Sequence, residues 1–113
     1  MLINHKNNTT IWYHTTPTNN VESILKYGLK INSKPTFQKH SEPWIYLSTV
    51  PFLDFGVIND ITLFEVDCRD IEEENAGWPF ADDNTPLSDL WQLRVFVDIA
   101  PKYLKIKEIA NCT

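Results

Sequence analysis

The chain is poor in the residues from which most small functional motifs are built. Three glycines stand among its 113 residues. No Gly-x-Gly-x-x-Gly or Walker loop exists, so a doubly wound nucleotide-binding fold is not expected. The only cysteines, Cys68 and Cys112, lie far apart and read as two incidental thiols rather than a bridge. The histidines His5, His14 and His40 are scattered, so no Cys/His group has zinc spacing and no metal is expected. Guanidinium groups occur only at Arg69 and Arg94, and the formal net charge is −5. That balance excludes a broad basic surface gripping phosphate backbones. No segment approaches the ~20 apolar residues of a membrane helix. Near Met1 the sequence is polar from Asn4 to Thr10, unlike a signal peptide. The expectation is a cytoplasmic protein with no membrane partner.

Apolar and aromatic side chains are plentiful, with four Trp, four Tyr and six Phe. They suffice for a buried core in one domain spanning residues 1–113, with 1–10 as a polar lead-in. Ile11–His14 reads as a strand, followed by a Thr-Thr-Pro turn. Thr18 or Asn19 would cap a helix, with Glu22 as the capping-box acid if Asn19 is the cap. Val21, Ile24, Leu25 and Leu29 recur at helical spacing, and Gly28 ends the helix. Residues 32–43 read as loop, and Trp44–Ser48 as a strand. Thr49–Phe55 reads as a turn with a short helix. Ile61–Val66 is a strand closed by Asp67, and Asp70–Asn75 an acidic turn. Trp78–Pro86 is a long aromatic loop. Leu90–Ile99 reads as a long strand, Ala100–Leu104 as a turn, and Lys105–Ile109 as a last strand. One strand, one helix, then mostly strands is an α+β pattern.

Three segments carry a resemblance: Tyr13-His14-Thr15-Thr16-Pro17, then Asn20–Leu25 with Gly28-Leu29, then Ile45-Tyr46-Leu47-Ser48. In order and spacing they resemble the ADP-ribosyltransferase superfamily, in its small prokaryotic branch of RNA 2′-phosphotransferases and DarT-like toxins. A weaker match runs through Leu63–Asp67 and Val95–Leu104. The resemblance implies ADP-ribosyltransferase-like split β-sheets with one or two short helices. It implies NAD as substrate, an acceptor that is a protein or a nucleic-acid base, and an effector or toxin context.

Carried over by position, His14 matches the first-strand histidine that hydrogen-bonds the nicotinamide-side ribose. Thr15 and Thr16 fall where the chain meets the nicotinamide amide. Tyr46 matches the aromatic that stacks on nicotinamide, with Ser48 and Phe55 beside the pocket. The third catalytic position falls on Gln92, with Arg94 next to it. The family normally has a glutamate there, whose charge stabilises an oxocarbenium-like transition state. Gln92 supplies a hydrogen bond without the charge, and Arg94 suits a phosphate. The catalytic set is therefore His14, Tyr46 and Gln92, and a catalytically inactive binding module is the rival. RNA 2′-phosphotransfer ranks last, because basic residues are few.

Each residue also has a plainer reading. His14 is a satisfied strand-end histidine, and Tyr46 a core tyrosine. The four tryptophans are mostly core, with Trp78-Pro79-Phe80 the best pocket candidate. Phe52 and Phe55 close a core. Glu65 and Asp67 are solvated strand-end acids that would replace the missing carboxylate only if the fold brought them near. Glu72-Glu73-Glu74 is a solvated face.

Overall fold

The computed structural model describes residues 1–31, 44–51, 60–78, 84–86 and 89–110. The chain is α+β, as its pattern predicts. Among the described residues a six-stranded antiparallel sheet carries one short helix and several 3-10 turns. The strands are β1 (Ile11–Pro17), β2 (Ile45–Ser48), β3 (Ile61–Asp67), β4 (Ala76–Gly77), β5 (Gln92–Val95) and β6 (Leu104–Ala110), and the helix α1 is Val21–Tyr27. Their order across the sheet is β4-β5-β2-β1-β3-β6.

One face of the sheet carries the core. Trp12, Ile45, Leu47, Phe64, Val66, Leu93 and Val95 alternate along their strands and join Ile24 and Leu29 in one buried cluster. The Trp12 indole donates to the Leu2 carbonyl at 3.1 Å, so its one polar group is satisfied in full burial. Asn4 does the same for the lead-in: its side-chain amide donates to the Ile11 and Thr49 carbonyls at 2.9 and 2.7 Å. Residues 1–10 are thus partly built into the fold despite their polarity.

Several boundaries differ from expectation for reasons of pairing. β1 does not stop at His14. Thr15, Thr16 and Pro17 continue it, opposite Leu63, Thr62 and Ile61. The long strand expected over Leu90–Ile99 is only Gln92–Val95, because its partner β2 offers four residues. Beyond it, Ile99 makes a separate bridge with Leu29. The two-residue β4 was not expected. α1 has no side-chain cap. Thr18 instead lies in a 3-10 turn with its hydroxyl on Thr62, and the Asn20 amide donates to Thr16. Leu25 is 46 % exposed and lies outside the apolar stripe. Gly28 ends α1 at φ 81°, where a Cβ would sit 2.1 Å from the Ile99 carbonyl oxygen.

Candidate functional site

The expected site lies where the sheet is weakest. β1 pairs with β3 along its whole length, but with β2 only at Tyr13 and Ser48. This seam divides the strands into β4-β5-β2 and β1-β3-β6. His14 follows Tyr13 directly, where the two strands part. Its Nδ1 lies 3.0 Å from the main-chain oxygen of Tyr46. The ring thus takes a β2 carbonyl that a continuing ladder would give to a main-chain N–H.

A carbonyl only accepts, so the proton is assigned to Nδ1 from its partner. In the neutral ring Nε2 is then the lone-pair acceptor. Part of His14 reaches solvent, yet the protein packed around its ring disfavours the charged form. That burial holds its pKa below the ordinary 6.5, while the bond to Tyr46 works in the opposite direction. The geometry fits a group that accepts a hydrogen bond from a hydroxyl.

Strand register places the other candidates. Ser48 stands opposite Gln92 and Tyr46 opposite Arg94. Tyr13 stands opposite Ser48, and Thr15 follows it on the same face. Thr15, Tyr46, Ser48, Gln92 and Arg94 therefore share the sheet face away from the core. His14 and Thr16 belong by alternation to the core face, and His14 reaches β2 only through the seam. Thr16 is buried and accepts from Asn20 at 3.2 Å. Ser48 is buried, and its hydroxyl lies 2.9 Å from the Val50 carbonyl and 3.4 Å from that of Tyr13. Ser48 ties the turn after β2 to the seam. Phe55 and Phe52 lie outside the described residues, as do Pro79 and Phe80.

Two carboxylates of β3 are engaged. Glu65 lies opposite Tyr13, on the same face as Gln92, with Lys107 Nζ at 3.5 Å. Asp67 accepts from the Thr10 hydroxyl at 2.7 Å and from the Arg69 main-chain N–H at 3.1 Å. Neither lies on β5, where the third position falls.

Sequence reasoning treated Trp44 as core and did not single out Phe96. The Trp44 and Phe96 rings meet edge to face at 5.1 Å, and the Arg94 guanidinium lies 5.1 Å from the Phe96 centroid. The signal was a two-residue spacing: Trp44 stands just before β2, two residues from Tyr46, and Phe96 just after β5, two residues from Arg94. Among the described residues no cluster of His, Cys, Asp and Glu could hold a metal ion, and no helix is long and apolar enough to cross a membrane. No protein-family model, curated protein or solved structure matches the chain.

Proposed function

We propose that the chain is an NAD-dependent mono-ADP-ribosyltransferase that binds NAD at the β1–β2 seam. The observation that carries this reading is the His14 imidazole. It is held neutral, with Nδ1–H on the Tyr46 carbonyl, so Nε2 is left to accept from a nicotinamide-ribose hydroxyl. Further support comes from the register, which gathers Tyr46, Ser48, Gln92 and Arg94 on the face opposite His14, with the seam as the one route by which the ring reaches β2.

In the reaction the ribose C1′–nicotinamide bond breaks and its electron pair leaves with nicotinamide. The acceptor nucleophile attacks C1′ and loses a proton. His14 orients the sugar, Tyr46 packs on nicotinamide, and the Gln92 amide hydrogen-bonds a ribose hydroxyl. The acceptor is a protein side chain or a nucleic-acid base. Location in the cytoplasm and an effector or toxin role belong to the same reading.

The absence of a carboxylate on β5 favours a second reading, an inactive module that recognises a nucleotide or a protein partner with the same cleft. Calorimetric titration with NAD, together with an assay of nicotinamide release from labelled NAD, separates the two. Saturable binding with release, both lost in His14→Ala, is expected. Binding without release selects the inert module. No binding, with His14→Ala indistinguishable from wild type, overturns the transferase reading and leaves the module only a partner other than NAD.

A further inference from the structure

The main-chain pairing of β1 with β2 stops on both sides of Tyr13 and Ser48. On one side His14 reaches across to Tyr46. On the other side a second side chain crosses the gap, the carboxamide of Asn4. Its Nδ2 donates to the Ile11 carbonyl on β1 at 2.9 Å and to the Thr49 carbonyl, just past β2, at 2.7 Å. Ile11 stands two residues before Tyr13, so its carbonyl points toward the same neighbouring strand. A continuing ladder would bond that carbonyl to β2, and Asn4 takes it instead.

The two ends of this link belong to different halves of the sheet. The main chain around Asn4 is mounted on the β1-β3-β6 half. Its N–H donates to the Thr9 carbonyl at 2.7 Å, and the Leu2 N–H to the Cys68 carbonyl, just past β3, at 3.1 Å. Thr49 belongs to the other half, with its N–H on the Trp91 carbonyl, just before β5, at 2.8 Å. The Asn4 Oδ1 accepts from the Lys6 N–H at 3.0 Å, which assigns the amide nitrogen to the seam side.

Asn4 is fully buried. A buried carboxamide is costly unless its polar atoms are bonded, and an apolar side chain would fill the volume without that cost. An apolar side chain would, however, leave two carbonyls without a donor, one in each half. The amide chemistry at this position therefore serves the gap between the strands rather than the filling of the core.

We propose that Asn4 is the positioning residue of the seam: its carboxamide brackets the two halves and sets the gap across which His14 meets Tyr46. The bracket stands without any ligand, and its consequence for NAD rests on the reading of the seam as the NAD site.

The test follows hydrogen exchange by NMR in the full chain without nucleotide. In wild type both Nδ2 protons of Asn4 are expected to be protected to within about tenfold of the Ser48 amide. Asn4→Ala is expected to lower protection at Ser48 at least about tenfold more than at Leu63–Val66 on β3, and to move the His14 ring nitrogen resonances toward those of free imidazole. Its affinity for NAD is expected to fall at least about threefold. Unprotected Nδ2 protons in wild type overturn the proposal, and this measurement decides alone where Asn4→Ala does not fold. Equal loss of protection at Ser48 and on β3 also overturns it, because Asn4 then supports the fold as a whole. A looser seam with unchanged NAD affinity overturns the positioning role. If wild type binds no NAD, the transferase reading falls and the exchange pattern decides the bracket by itself.

Discussion

At the residue scale, the imidazole of His14 ties the site to pH. Its folded pKa lies below the ordinary 6.5, so the unfolded chain takes up a proton more readily than the folded one. Above about pH 6.5 the ring is neutral in both states and contributes its full stability. As pH falls below 6.5, the unfolded state is favoured until the folded ring also protonates. The urea midpoint of wild type is therefore expected to drop more steeply as pH falls below about 6.5 than that of His14→Asn. Parallel profiles would mean that the ring is not held neutral. Gln92 carries a second prediction, one that rests on the proposed function. Gln92→Glu restores a negative charge near the breaking glycosidic bond, and nicotinamide release is expected to rise on the order of tenfold or more. A fall in release would assign Gln92 to another role. Cys68 is the opposite kind of residue. Burial, with Asp67 beside it, pushes its thiol to about 12, so almost no thiolate exists at neutral pH. Peptide-resolved alkylation at about pH 8 is expected to spare Cys68 in the native chain and to label it fully in denaturant.

At the element scale, two residues at the end of α1 show what the sequence made legible and what it hid. Gly28 was legible as a helix stop because apolar periodicity ends there and glycine tolerates positive φ. Its second constraint was hidden. The Leu29–Ile99 bridge joins segments 70 residues apart, and it brings the Ile99 carbonyl to where a Cβ would stand. Gly28→Ala is therefore expected to cost about 2 kcal/mol or more, combining backbone strain with a steric clash, and to lower the urea midpoint without changing the slope. A cost below about 1 kcal/mol would mean that the bridge yields easily. The strands show the same division. Ile61–Val66 was legible because Ile61, Thr62, Phe64 and Val66 are β-branched or aromatic. Thr15–Pro17 read as a turn because threonine and proline carry that local signal, but seven successive pairs with β3 outweigh it. The expected cap, Thr18 or Asn19, is displaced for a related reason: the Thr18 hydroxyl has a tertiary partner in Thr62, and Asn20, which stands at the N-cap, bonds back to Thr16. At the candidate site, the residue types of His14, Tyr46 and Gln92 were legible. Their division between two sheet faces was not, because it depends on the β1–β2 register.

At the scale of the whole molecule, the sheet is strong on both sides of a weak line. β1, β3 and β6 are joined by long ladders, and β2 and β5 by four consecutive pairs, whereas β1 and β2 share one. With each main-chain hydrogen bond contributing a net ~1 kcal/mol, opening the sheet at the seam breaks the fewest main-chain pairs, and the core packed across it supplies the remaining resistance. His14 stands at this line, and its bond to Tyr46 is one of the few that cross it. A ligand that bridges the seam would oppose this opening specifically. At a concentration near 100 times Kd it would stabilise the closed form by about 2.7 kcal/mol, which slows exchange through seam opening about a hundredfold. Hydrogen exchange with and without NAD is therefore expected to slow at Tyr46 and Leu47 on β2 and at the facing end of β1. The outer edge of β6 lies two strands beyond β1, exchanges by local fraying, and should change little. Slowing of β6 and β2 to the same degree would mean that NAD acts on the fold as a whole, not at the seam. If protection at β2 stays unchanged at saturating NAD, any bound nucleotide lies away from His14, and the seam has no part in holding it.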